Sequence, residues 1–184
     1  QIPENLRNFS KEASNKIGSL FKRGNKVFSL TMLPGETLGD FCERVIKEYL
    51  KSQGFDKFYE VQNRSGNGVD IIAEKTKTHE VKIIEVKGTQ SESKWNEGQS
   101  KELPLSKDQK AGGKTYSESR LNRAKNGDDG WKNEPETQAN AEDAIDAIER
   151  AKKEGTVSYE KYDVYVDEQG AIRNGEQGVQ KRPW

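Results

Sequence analysis

The reading of this chain turns on two short runs, Gly68-Val69-Asp70-Ile71-Ile72-Ala73 and Lys82-Ile83-Ile84-Glu85-Val86-Lys87. Both are rich in β-branched residues, which suit the pleated, half-buried surface of a sheet. Both also carry charge among apolar neighbours. Residues 69–73 and 81–87 read as strands, with residues 76–80 as the turn that pairs them. Side chains alternate faces along a strand, so Glu85 and Lys87 share one side, about 7 Å apart. Ile84 and Val86 take the other side and enter a core. The turn brings Asp70 beside Glu85.

Working outward, Leu38, Phe41, Cys42, Val45, Ile46, Tyr49 and Leu50 recur at three- and four-residue spacing. That is an amphipathic helix over residues 36–53, with Pro34-Gly35 as a turn before it and Gly54 as its stop. Residues 58–61 read as a strand and residues 64–68 as a Gly-rich loop. Downstream, residues 90–104 are polar and irregular apart from Trp95. Residues 106–126 predict a helix with Ser106 as N-cap, weakened by Gly112-Gly113. A loop over residues 126–136 precedes an Ala-rich helix over residues 139–153, ended by Gly155. A strand over residues 159–166, a turn over residues 167–170 and a short return strand from residue 171 complete the pattern. A helix followed by three consecutive strands implies an α+β fold with an α/β-like core, a central mixed sheet flanked by helices.

Composition sets the limits. Hydrophobic residues make up 30% of the 184, against roughly 45–50% in an ordinary globular domain. The core must therefore be concentrated in part of the chain. The expected division is a polar N-terminal segment or linker over residues 1–33, a domain over residues 34–175 and a tail over residues 176–184. Within the first segment, Leu6, Phe9, Ile17, Leu20 and Phe21 have the spacing of a short amphipathic helix. Lys plus Arg and Asp plus Glu are equal at 31 each, so no global positive field exists. That argues against a simple nucleic-acid coat protein but not against an enzyme that gathers carboxylates at one point and lysines around it. No run approaches the roughly 18 apolar residues of a membrane span, and no signal peptide is visible. Cys42 lies on the apolar helix face and reads as a small buried residue.

Two carboxylates brought together at a strand edge repel unless a cation joins them. Hard oxygen ligands suit Mg²⁺ (or Mn²⁺), which keeps several waters and also accepts phosphate oxygens. Asp70 and Glu85 are the candidate metal ligands, with the Val86 carbonyl completing the set. Lys87 is placed to orient or deprotonate a water, or to neutralise charge building on a phosphate. The competing reading of Glu85-Val86-Lys87 is the solvated face of a strand, and its Ile- and Val-rich surroundings weigh against that.

Asp70, followed after fifteen residues by Glu85-Val86-Lys87, resembles the PD-(D/E)xK nuclease superfamily of restriction-endonuclease-like folds. Gly39, Glu43, Leu50 and Gly54 resemble the first helix of that fold. The resemblance covers roughly residues 36–125, and Val69 stands where the superfamily usually has Pro. It implies Mg²⁺-dependent phosphodiester cleavage and makes Glu43 a candidate for a second metal or a water. On the following helix it makes Gln109 a candidate assisting residue. Lys107, Lys110 and Arg120, in a locally basic stretch from Lys94 to Lys125, are candidates for substrate phosphates. Residues 106–124 also resemble the C-terminal nuclease modules of bacterial polymorphic toxins, including contact-dependent growth inhibition toxins, and Gln1 in place of an initiator Met fits an excised module. That likeness implies a cognate immunity protein and action in the cytoplasm of a target bacterium after delivery within a larger protein. DNA is the first expected substrate and tRNA the second. A non-catalytic nucleic-acid-binding or interaction module is the alternative of another class.

Other residues carry less. His79 is the single histidine and falls in a turn, so a His–His ribonuclease pair and a His-rich zinc cluster are excluded. No nucleophile elbow or phosphate loop occurs. Trp95, Trp131 and Trp184 lie in polar segments expected to be mobile. They read as covers for core edges, with base stacking as the alternative.

Overall fold

The computed structural model describes residues 27–96 and 101–184. The amphipathic helix expected within residues 1–30 falls largely outside them; residues Val27–Ser29 form a single 3₁₀ turn.

Helix α1 runs Leu38–Ser52. The Thr37 hydroxyl accepts the Asp40 N–H at 3.1 Å, satisfying one donor that every helix start leaves over. Gly54, at φ +98°, takes the left-handed turn that ends it. Strands β1 (Lys57–Phe58), β2 (Ile71–Lys75) and β3 (Glu80–Thr89) follow. β1 pairs with β2 and β2 with β3, both antiparallel. The hairpin between β2 and β3 closes where the Thr78 N–H meets the Lys75 carbonyl at 3.3 Å. The strand expected over residues 58–61 is cut short, because the chain leaves the sheet for a loop organised by Asn63. That side chain accepts the Ser65 and Asn67 N–H groups, each at 3.0 Å.

Helix α2 (Glu92–Asn96) lies in the stretch expected to be irregular. The single helix expected over residues 106–126 is two pieces. A 3₁₀ turn at Gln109–Ala111 is separated by Gly112, at φ +100°, from helix α3 (Gly113–Asn126). Ser106 caps only the small turn: its Oγ accepts the Gln109 N–H, and Gln109 Oε1 accepts the Ser106 N–H at 2.9 Å. Helix α4 (Pro135–Glu154) begins four residues before its expected start. Pro135 stands in its first turn, where its fixed φ suits the helix and its missing N–H is no loss. Strands β4 (Thr156–Tyr165) and β5 (Val179–Pro183) complete a mixed sheet in the order β1-β2-β3-β4-β5. The expected return strand is reduced to one bridge between Val166 and Ile172. β5 lies in the segment read as a tail.

The described residues group into two compact units. One takes those up to Tyr49, Val86–Pro104 and Lys161–Pro183; the other takes Leu50–Glu85, Leu105–Glu160 and Trp184. The divisions fall inside α1, β3 and β4. In the first unit, Phe41, Cys42, Val45, Ile46 and Tyr49 of α1 are fully buried. Phe28 packs on Tyr49 at 5.6 Å between ring centroids, and Thr31 bridges Ala171. In the second unit the core joins Ile72, Val81 and Ile83 of the sheet to Tyr116, Leu121 and Ala124 of α3 and the alanine stripe Ala141, Ala144, Ala147 and Ala151 of α4. Alanine at each contact lets two helices approach closely. Trp131 belongs to this core rather than to a mobile segment: it is 2% exposed, and its indole N–H donates to the Val61 carbonyl at 3.0 Å.

Candidate active site

Asp70 sits one residue before β2 and Glu85 lies within β3. The register pairs Ile71 with Ile84, the chain neighbours of Asp70 and Glu85. Directly opposed side chains on antiparallel strands stand about 4.5–5.5 Å apart at Cβ, and like charges there are unfavourable. Glu85 is 3% exposed and Asp70 half-buried.

What holds Asp70 is a loop. Gly68 adopts φ +123°, and a Cβ there would stand 3.0 Å from the Val61 carbonyl oxygen and 3.2 Å from Gln62 Cα. Only glycine fits both the conformation and the space. This close passage lays the chain beside Gln62, whose Nε2 donates to Asp70 Oδ1 at 2.8 Å. Gln62 escaped the sequence reading, since a polar residue at the end of a β-type run looks like any other surface position.

Val86 and Lys87 are the next residues of β3, buried and half-buried respectively. Glu43 is half-buried on α1. Gln109, expected on a helix, lies on the 3₁₀ turn and is 8% exposed. Lys107 and Lys110 are exposed. Arg120 on α3 binds Asp108 at 2.6 Å and lies over the Tyr116 ring at 4.6 Å from its centroid. Asp108 is held below the usual carboxylate range by that guanidinium. Tyr116 lies beneath the Arg120 guanidinium. It is 7% exposed, and burial first, then the Glu85 charge, push its phenol up; Arg120 and Gln109, as hydrogen-bond partners, pull the other way.

His79 is a partly exposed turn residue at φ +56°, with Nε2 3.4 Å from Glu154 and Nδ1 3.9 Å from Glu74. Trp95 covers Tyr165 and Trp184 covers Tyr116, at 5.5 and 5.8 Å between centroids. Among the described residues no group of three or more His, Cys, Asp or Glu side chains stands ready to hold a metal. Mg²⁺ retains water in most of its coordination positions and needs few protein ligands. No helix among the described residues is long and apolar enough to cross a membrane.

The helices and the mixed five-strand sheet make an α+β fold consistent with the restriction-endonuclease-like kind. Residues 36–103 match the family model described as restriction endonuclease, a span holding Glu43, Asp70, Glu85, Val86 and Lys87 but not Gln109, Tyr116 or Arg120. No curated protein and no solved structure matches the chain.

Proposed function

We propose that this protein is a divalent-metal-dependent nuclease that hydrolyses phosphodiester bonds, with DNA as its first substrate and tRNA as its second. The observation that carries the reading is the register that pairs Ile71 with Ile84, the chain neighbours of Asp70 and Glu85, within the segment matching the restriction endonuclease family. The two carboxylates and the Val86 carbonyl would hold Mg²⁺ or Mn²⁺. When bound, the ion supplies Lewis-acid polarisation of the phosphodiester and a water acidic enough to attack at neutral pH. Lys87, on the same side of β3 as Glu85 by strand alternation, neutralises charge on the phosphate or takes the proton of the attacking water. Gln62 keeps Asp70 aimed, and Gln109 supports the site from the turn before α3. Glu43 is assigned to a second metal or a water, and Lys107, Lys110 and Arg120 to substrate phosphates.

The test is cleavage of plasmid DNA and of total tRNA, separately, with Mg²⁺ and with EDTA. Metal-dependent loss of one substrate supports the reading and names the target. Glu85→Ala and Lys87→Ala abolish cleavage while circular dichroism stays unchanged. Full activity in both variants sinks the site assignment.

The likeness of residues 106–124 to toxin modules extends this reading to interbacterial competition, with a cognate immunity protein as partner. Expression inside bacteria then arrests growth, and Glu85→Ala abolishes the arrest. Harmless expression of an enzyme active in vitro removes that extension and leaves the nuclease.

A further inference from the structure

The loop that delivers the chain to Asp70 is braced at its root and open at its tip. At the root, Asn63 is 6% exposed. Its N–H donates to the Asn67 carbonyl at 2.9 Å and its carbonyl accepts the Gly66 N–H at 2.9 Å, which closes the loop on itself. A Cβ at Gly130 would collide with the Asn63 amide, so the turn around Trp131 packs directly on that root. The Glu134 carboxylate accepts the Arg64 N–H at 3.3 Å, and the Asn140 side chain donates to the Glu60 carbonyl at 3.0 Å. Gly68 and the Gln62–Asp70 hydrogen bond fix the other end.

At the tip, Arg64, Ser65, Gly66 and Asn67 are all exposed. Asn63 and Glu134 take up their backbone N–H groups. Among the described residues the side chains of Arg64, Ser65 and Asn67 have no hydrogen-bond or ion-pair partner. The carboxylates beside the loop are engaged elsewhere: Glu134 on the Arg64 backbone, and Asp129 on Arg123 at 2.6 Å. A segment that only joins two strands needs neither this bracing nor an unpaired guanidinium. A rigid root with uncommitted polar side chains suits a binding loop.

The place of the loop selects the ligand. Asn67 is three residues from Asp70, a span of at most about 11 Å. Phosphates along one strand of a duplex follow each other by about 3.4 Å of axial rise. A strand with its scissile phosphate at Asp70 thus has its neighbouring phosphates within reach of the tip. Arg, Ser and Asn are side chains that bond phosphate oxygens, Arg as a two-pronged donor. With the loop's own N–H groups used internally, those side chains supply the contact.

We propose that Arg64 binds a substrate phosphate flanking the scissile one, with Ser65 and Asn67 beside it. This rests on the nuclease reading above. The contact is the same before and during attack, so it acts on binding and leaves kcat alone. It also neutralises one phosphate, so it adds about one unit to the salt dependence of binding.

Arg64→Gln removes the charge and leaves the backbone bond to Glu134 in place. Binding is read by fluorescence anisotropy on a labelled DNA duplex and on labelled tRNA, with Mn²⁺, in a Lys87→Ala background that leaves the substrate whole. The expected result is a Kd raised about tenfold near 0.1 M salt, and a slope of log Kd against log salt lower by about 1. Arg64→Lys restores the slope, and kcat of Arg64→Gln in the otherwise wild-type enzyme stays within about threefold. An unchanged slope in Arg64→Gln, beside an active wild-type enzyme, overturns the inference alone; a Kd that then weakens only at particular base sequences would make Arg64 a reader of bases. Loss of Mn²⁺ binding, measured by electron paramagnetic resonance without substrate, overturns it too, because Arg64 would then be shaping Asp70. A folded wild-type protein that cleaves neither DNA nor tRNA removes the nuclease reading and this inference with it.

Discussion

Replacing Asp163 by Ala should be among the most damaging single substitutions in the molecule. Asp163 and Lys161, two residues apart on β4, are both fully buried, with Lys161 Nζ 2.8 Å from Asp163 Oδ1. Asp163 Oδ2 accepts the Arg182 Nε–H and the Leu103 N–H, each at 2.9 Å. Lys161 also donates to the Leu103 carbonyl, and the Tyr165 hydroxyl donates to the Lys101 carbonyl. One carboxylate therefore balances an ammonium and a guanidinium and ties down the backbone where the chain approaches Pro104. Breaking a buried pair by deleting one partner typically costs about 3–5 kcal/mol, because the surviving charge stays desolvated. For a chain of this size each kcal/mol moves Tm by about 2–4 °C, so Asp163→Ala lowers Tm by about 6–20 °C. Lys161→Met should cost less, since Asp163 keeps Arg182 and the Leu103 N–H. Differential scanning calorimetry on both variants tests the magnitude and the order. A shift below about 2 °C for Asp163→Ala, or a larger loss for Lys161→Met, would refute the reasoning. The first result would mean that Lys161 escapes to the exposed Glu102, 3.6 Å away.

Three further outcomes are expected. Glu36 is held at about 2 against an ordinary 4.5, chiefly by its hydrogen bond from Arg44 and next by the Leu33 N–H. A depressed carboxylate adds stability that is complete above its unfolded pKa and is lost as pH falls through the folded value. Acid titration of Tm should therefore show a loss between about pH 4.5 and pH 2 that is smaller in Glu36→Gln; equal losses remove the assignment. Gly88→Ala builds a Cβ into Cys42 Sγ and 3.5 Å from Leu38 Cγ, so urea denaturation should show about 1–3 kcal/mol of overpacking; wild-type stability would mean that α1 yields freely. Glu85→Gln relieves the repulsion with Asp70 and should stabilise the metal-free protein by up to about 1 kcal/mol while abolishing Mn²⁺ binding. A destabilised metal-free variant with Mn²⁺ binding retained would contradict the placement of that pair.

Several elements were legible locally. The three- and four-residue spacing from Leu38 to Leu50 specified α1, because one face of a helix must be apolar to be buried. The Ile and Val runs around Asp70 and Glu85 specified β2 and β3, and the short turn between them set the register. The predicted helix over residues 106–126 failed for an equally local reason. Gly112 tolerates a positive φ, and Ser106 and Gln109 satisfy each other's backbone groups before the helix begins. Sequence named that weakness without resolving its outcome.

Other features depend on contacts between distant residues. Gln62 meets Asp70 only because Gly68 lets the loop pass close to Val61, and Trp131 is buried because the Val61 carbonyl awaits its N–H. β5 lies among polar residues whose period is too short to announce a strand, and pairing with β4 decides it. The sequence by itself determined the elements whose periodicity is their reason for being buried. The tertiary structure alone decided which polar side chain attends Asp70, because a hydrogen bond is chosen by proximity in space and leaves no period in the chain.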